Sequence, residues 1–176
     1  HPIIGYMGTI NSTRLDGELL YQIISQRPDY SFVFTGPEDD IFRRDRIHSL
    51  KNAYFTGQKK VDELPAYIAA YDVCINPQMV NEITDGNYPL KIDEYLAMGK
   101  PTVATSTHTM RNIFAGHTHL AINPEEWLAA IDRAVTEADD KELAKQRITF
   151  AETHSWGHSV KKIYEIIDSF LKKKTT

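Results

Sequence analysis

One cysteine, Cys74, is the entire thiol content of this 176-residue chain, so no internal disulfide can staple it. Cys74 sits in an apolar run, Val73-Cys74-Ile75, and reads as a buried thiol of a reducing compartment. No stretch of eighteen apolar residues occurs and no signal-peptide pattern opens the chain, so a soluble, cytoplasmic protein is the expectation. Basic residues are not in excess. Twenty Lys and Arg stand against 24 Asp and Glu, a net charge of −4, which argues against a nucleic-acid binder. The turn Gly8-Thr9-Ile10-Asn11-Ser12-Thr13 is not G-x-G-x-x-G, so the NAD fingerprint is missing. Seven histidines are present, among them His108, His117, His119, His154 and His158. None has H-E-x-x-H spacing or a Cys/His framework, and scattered surface histidines are preferred to a metal site. Internal repeats and low-complexity segments are absent as well.

With 41% hydrophobic residues the chain can bury one sizeable core, and a single domain over 1–176 is expected. Short β-branched or aromatic runs at 3–8, 31–35, 53–55, 73–75, 102–105 and 120–122 read as six strands. Helical spacing separates them. Leu19, Leu20, Ile23 and Ile24 follow a start near Asp16 or Gly17, and Leu64, Tyr67, Ile68 and Tyr71 follow an Asp62 cap. Asn123-Pro124 opens a helix with Trp127, Leu128, Ile131 and Val135, and another runs over about 140–153. After Trp156, the residues Val160, Ile163, Ile166, Ile167 and Phe170 mark an amphipathic C-terminal helix. Trp127 and Trp156 both read as core. The charged stretch 38–49 has no clear period.

Strands alternating with helices mean βαβ units, a parallel sheet covered on both faces, and right-handed crossovers. The expected fold is a doubly wound, Rossmann-like α/β sheet of about six strands. Ligands of such sheets bind at the carboxyl ends of the strands. Gly8, Gly36, Gly57 and Asn76 each follow a strand and should converge on that edge.

The stretch Tyr88-Pro89-Leu90-Lys91-Ile92-Asp93-Glu94-Tyr95-Leu96-Ala97-Met98-Gly99-Lys100-Pro101 carries the most information. Pro89 fits a first helical turn, and Gly99 with Pro101 ends the helix. Leu90, Ile92, Tyr95, Leu96 and Met98 give it a mostly buried body. Lys91 and Glu94, three apart, are neighbours on one face. A cation in the first turn opposes the helix macrodipole, so helix stability does not explain Lys91. A phosphate does: free N–H groups plus one ammonium at a helix start make an anion site. The plainer readings are a solvated lysine, and a surface pair of Glu94 with Lys91 or Lys100.

These pieces, in this order, resemble the C-terminal, donor-binding domain of a GT-B glycosyltransferase of the group 1 (GT4-like) superfamily. The resemblance runs over about 3–170. It rests on Gly5-Tyr6-Met7-Gly8, Phe34-Thr35-Gly36-Pro37 and Tyr54-Phe55-Thr56-Gly57. Above all it rests on Pro89–Thr105, which is similar to a signature of transferases that build bacterial surface polysaccharides. The resemblance implies that Glu94 binds the ribose hydroxyls, since a carboxylate accepts hydrogen bonds from both members of a vicinal diol. It implies a diphosphate site made by Lys91 and the backbone of Tyr88, Pro89 and Leu90, with the Gly8-Thr9 turn opposite. Arg14 falls near a family position that contacts the diphosphate. The resemblance also implies that the base lies against Gly57-Gln58-Lys59. Many relatives carry an acid eight positions before the glutamate; here that position is Gly86, with Asn81, Glu82 and Asp85 as loose substitutes.

The function the resemblance implies is binding of a UDP-sugar or GDP-sugar, with no metal and no cofactor, for transfer to a cell-surface glycan or lipid-linked acceptor. The acceptor is expected on an N-terminal half absent from this chain, which reads as an excised donor domain with no catalytic residue of its own. A non-catalytic nucleotide-sugar-binding module and a GT-B sugar-nucleotide epimerase are the alternatives. Lys172-Lys173-Lys174 would suit peripheral membrane association of the full-length protein at the inner face, set against a solvated helix end.

Overall fold

The computed structural model describes residues 1–174. Six parallel strands, β1 (Ile3–Met7), β2 (Ser31–Thr35), β3 (Ala53–Gly57), β4 (Val73–Asn76), β5 (Thr102–Thr105) and β6 (His119–Ala121), lie in the order β3-β2-β1-β4-β5-β6. Each half winds outward from the centre, so the order reverses between β1 and β4. The crevice of a doubly wound sheet opens at that switch point, beyond the carboxyl ends of the two strands.

Alternation along the strands divides the core into two layers. Ile4 and Tyr6 of β1, Phe32 and Phe34 of β2, and Ile75 of β4 face α1 (Gly17–Ser25) and α4 (Pro124–Thr136), where Leu20, Ile23, Ile24, Trp127 and Ile131 close the layer. Met7, Cys74 and Ala104 face α2 (Leu64–Ala70), α3 (Leu90–Ala97) and α5 (Lys141–Glu152), through Ile68, Ile92, Tyr95, Leu96 and Ala151. The helix starts follow side-chain chemistry. The carboxylate of Asp16 accepts from the Leu19 N–H, Asn123 from Glu126, and Asp140 from Glu142 and Leu143.

Several sequence expectations shift. The last strand is His119–Ala121, and Ile122 beyond it is 70% exposed. Asp62 caps no helix; it lies within a 3₁₀ turn, Val61–Glu63, whose Glu63 carboxylate accepts from the Lys60 N–H. Tyr71 is extended and ends α2 rather than riding on it. The stretch 38–49 forms two 3₁₀ turns, Phe42–Arg44 and Arg46–Ser49, which bury Phe42 and Ile47 and are too short to show a period. Trp156 is 82% exposed, not core, at the start of α6 (Trp156–Lys174), whose side chains Val160, Ile163 and Ile167 are also exposed. The side chains of Lys172, Lys173 and Lys174 lie outside the described residues. No described helix is long and apolar enough to cross a membrane.

Candidate functional site

At the carboxyl edge of the sheet the turns after β1, β2 and β3 are laced together by backbone hydrogen bonds. Gly8 N–H donates to Thr35 O at 2.9 Å, and Gly36 N–H donates to Gly57 O at 3.1 Å. Gly8 and Gly36 have φ of 137° and 147°, conformations that side chains with a Cβ rarely adopt. Two tyrosines pin the Gly8 turn from either side. The Tyr6 hydroxyl donates to Thr9 O at 2.9 Å. The buried Tyr95 hydroxyl accepts from Met7 N–H at 2.8 Å and donates to Met7 O at 3.3 Å, which couples α3 to the end of β1.

Helix α3 points its first turn at this seam. Pro89 is its cap residue and supplies no side-chain hydrogen bond, so the N–H groups of Leu90 and Lys91 have no partner within the helix. Leu90 (62% exposed) and Met98 (38%) depart from the expected buried body; Leu90 instead lies at the cleft. The Lys91 ammonium donates to Tyr6 Oη at 2.8 Å and sits 4.5 Å from the centre of its ring. A Cβ on Gly8 would come within 2.9 Å of that nitrogen, so the missing side chain at Gly8 makes the room that Lys91 fills.

Lys91 is therefore a partly buried cation hydrogen-bonded to a neutral phenol rather than to a carboxylate. Burial holds its pKa down to about 8, against the pull of Glu94 and with repulsion from Arg14. Burial raises Tyr6 well above the usual phenol range, so Tyr6 does not ionise to compensate. Glu94, exposed at the cleft, is pushed upward by desolvation, with Lys91 opposing and Asp93 adding. The ammonium thus has a Coulombic neighbour, Glu94, and no tight counter-ion among the described residues.

Two hollows flank this ammonium. One, of about 580 Å³, lies between the Gly8-Thr9 turn, Arg14, Gln78 and Asn87–Lys91. The other, of about 420 Å³, lies toward Gly36, Gln58, Lys59 and Glu94. They share Gly8, Thr9, Leu90 and Lys91. Of the residues singled out from the sequence, Gly8, Thr9, Arg14, Tyr88, Pro89, Leu90 and Lys91 line the first hollow, and Gln58, Lys59 and Glu94 the second. Gly57 lines neither and instead accepts from Gly36. Asn81, Glu82 and Asp85 line neither: the Asn81 side-chain oxygen accepts from the Ile83 and Thr84 N–H groups, and Asp85 from the His108 N–H. Tyr88 does both things its position allows, lining the hollow while packing on Phe114 and donating to Asp93 at 2.6 Å. Asp93 is held in turn by His154 at 3.1 Å. Tyr6, Asn11 and Gln78 escaped sequence reasoning, although Gln78 follows a marked strand end, Asn76-Pro77, by one residue.

The family model described as glycosyl transferases group 1 matches residues 1–137. The chain belongs to the group 1 glycosyltransferases. Its fold is the Rossmann-like half of a GT-B enzyme. A Bacillus subtilis (strain 168) protein, TuaH, provisionally named a teichuronic acid biosynthesis glycosyltransferase, is 28% identical over 160 residues, which are 88% of this chain and 40% of that protein. The solved structure of sucrose-phosphate synthase from Thermosynechococcus elongatus superposes with a TM-score of 0.76 at 20% identity, over 98% of this chain and 46% of that one. The Anabaena protein HepE, solved with UDP, gives 0.75 at 15% identity, over 95% and 48%. This glycosyltransferase chain spans less than half the length of each of these relatives.

Proposed function

We propose that the chain is the donor-binding half of a transferase moving a hexose-type sugar from a UDP-sugar or GDP-sugar to a cell-surface glycan or lipid-linked acceptor. One observation carries this reading: a partly buried ammonium without a tight counter-ion stands at a helix start, between two hollows, at the switch point of the sheet. The diphosphate takes the shared strip, held by Lys91 and the N–H groups of Leu90 and Lys91, with Gly8-Thr9 opposite. The nucleoside takes the side of Gln58, Lys59 and Glu94, where the carboxylate accepts from the ribose diol. The sugar takes the larger hollow. Lys91 then neutralises the charge that develops on the departing diphosphate, often the largest single contribution to such catalysis. Among the relatives, HepE is described in complex with UDP and with UDP and glucose.

Calorimetric titration of UDP and GDP tests the reading, and its pH dependence identifies the ammonium. In the free protein Lys91 is protonated below about pH 8 and neutral above it. A bound diphosphate requires the proton and holds it, so the affinity for UDP should be flat up to about pH 8. Above that it should fall up to tenfold per pH unit, with proton uptake on binding. Affinity that stays level from pH 7 to 9.5 would remove Lys91 from the site.

The ribose assignment has its own measurement. Glu94→Gln keeps an acceptor oxygen but removes the charge. UDP should weaken about tenfold and 2′-deoxy-UDP much less, a loss on the order of 1–2 kcal/mol for a charge-assisted hydrogen bond. Equal losses for both nucleotides would place the carboxylate elsewhere.

A further inference from the structure

We propose that Tyr6 is the positioning residue of the anion site: its single hydroxyl sets the place of the Lys91 ammonium and of the Gly8-Thr9 turn together. The inference rests on the donor reading above and concerns how the two sides of the diphosphate strip are held. Tyr6 lies near the end of β1 and is 1% exposed, with its ring tilted against Phe34 at 6.2 Å. The core therefore fixes the ring, and only the hydroxyl remains to be oriented. It has one proton, and that proton goes to Thr9 O at 2.9 Å. The oxygen can then meet Lys91 Nζ, 2.8 Å away, only as an acceptor.

The direction of this relay is set from the turn. Thr9 O takes the phenol proton, and the phenol oxygen takes one of the three N–H groups of the ammonium. Two are left for a ligand, and Lys91 lines both hollows. Gly8 completes the junction. A Cβ there would lie 2.9 Å from Lys91 Nζ and 3.4 Å from Tyr6 Oη, so turn, phenol and ammonium meet at a point that admits no side chain. Other charges act on the ammonium from a distance. Glu94 on its own helix attracts it, Arg14 from the loop after β1 repels it, and Lys59 lines the second hollow with it.

The helix itself does not depend on Tyr6. The Tyr95 hydroxyl binds both Met7 N–H and Met7 O, which holds α3 to β1 separately. What Tyr6 fixes is the end of a flexible four-carbon stem, which is pre-organised only where something holds its nitrogen. Tyr6→Phe isolates that effect. The ring stays, and with it the contact of the ammonium 4.5 Å from the ring centre, while the hydroxyl alone is removed. The charged form of Lys91 then loses an acceptor that the neutral amine needs less, so the proton leaves at lower pH.

The test compares the wild type, Tyr6→Phe and Tyr95→Phe as intact proteins, by calorimetric titration of UDP and GDP across pH and by thermal melts. Well below the pH at which Lys91 loses its proton, a loss of affinity reports position alone, and Tyr6→Phe should bind the nucleotide about fivefold more weakly there. The pH at which affinity begins to fall reports the proton. It stands at about 8 in the wild type. In Tyr6→Phe it should move down by about one unit. Tyr95→Phe loosens α3 from β1 without touching the ammonium, so it should lower the melting temperature and leave that pH where it is. A Tyr6→Phe break at the wild-type pH or above it overturns the proposal, since Tyr6 would then hold the turn alone. So does undiminished affinity at low pH. A wild type that binds neither UDP nor GDP overturns the donor reading itself, a result distinct from either of these.

Discussion

Lys91→Met is expected to weaken UDP binding about a hundredfold while leaving the melting temperature unchanged or slightly higher. The binding loss follows from the charge-assisted hydrogen bonds between ammonium and phosphate, each on the order of 1.5–3 kcal/mol. The upper end applies because the ammonium is partly shielded from water. The stability expectation runs the other way from most substitutions of a buried group. Burial holds Lys91 at a pKa of about 8 rather than 10.5, so at pH 7 the folded protein retains a proton that its interior disfavours. With a depressed folded pKa, the unfolded chain binds more protons between pH 8 and 10.5. Stability therefore rises with pH through that window and is lowest below it. Methionine keeps the methylenes and removes the charge. Tyr6 loses a donor but still donates to Thr9 O, and Glu94, exposed at the cleft, loses an attraction that solvent already screens. Calorimetry of UDP binding and thermal melts of the two proteins measure both halves. Undiminished UDP affinity would show that the anion site is elsewhere. A melting temperature lower by several degrees would show that Lys91 holds the fold instead. In the intact enzyme the same variant should lower kcat more than it raises KM, because the diphosphate is most negative as it departs.

Much of this site could be read from the residues because the information is local. Glycines after strands, a proline at a helix start, and Gly99 at φ 71° beyond its end are chemical statements about single positions. The parallel, doubly wound sheet followed from the alternation of elements and the handedness of crossovers, whereas the order of its strands is seen only in the structure. What could not be read is long-range. Tyr6 and Lys91 are 85 positions apart, and no periodicity links a phenol on β1 to an ammonium on α3. Within the protein, helix geometry makes visible only Glu94, one turn away, as a neighbour of Lys91; the hydrogen bond of Lys91 goes to Tyr6 instead. Leu90 and Met98 failed for a related reason. A period of 3.6 reports which residues share a face, but not whether that face meets a neighbouring helix or an open cleft. Trp156 shows the same limit at larger scale. Its apolar helix has a stripe suited to burial, and the stripe lies exposed on the described residues.

Gly36→Ala should be the most damaging single methyl group that can be added at the cleft. Its Cβ would sit 2.0 Å from the carbonyl oxygen of Gly8 and 2.7 Å from the carbonyl carbon, both backbone atoms. Neither turn can step aside, because Gly8 N–H is bonded to Thr35 O and Gly36 N–H to Gly57 O. The φ of 147° adds its own strain for a residue with a side chain. Overpacking and backbone strain together should cost about 3 kcal/mol. For a chain of this length that corresponds to a melting temperature lower by roughly 10 °C. UDP binding should fall at least tenfold at temperatures where the variant is still folded, since displacing the Gly8 turn disturbs the pocket of the Lys91 ammonium. Gly57→Ala is the control that separates the two causes. Gly57 also has positive φ, 70°, but nothing lies within 4 Å of where its Cβ would go, so only the backbone term of about 1 kcal/mol remains. If the two alanines melt together, the contact between the β1 and β2 turns is softer than their geometry requires. In that case the Gly8 turn does not hold Lys91 in place, and the weight of the anion site falls on α3 alone.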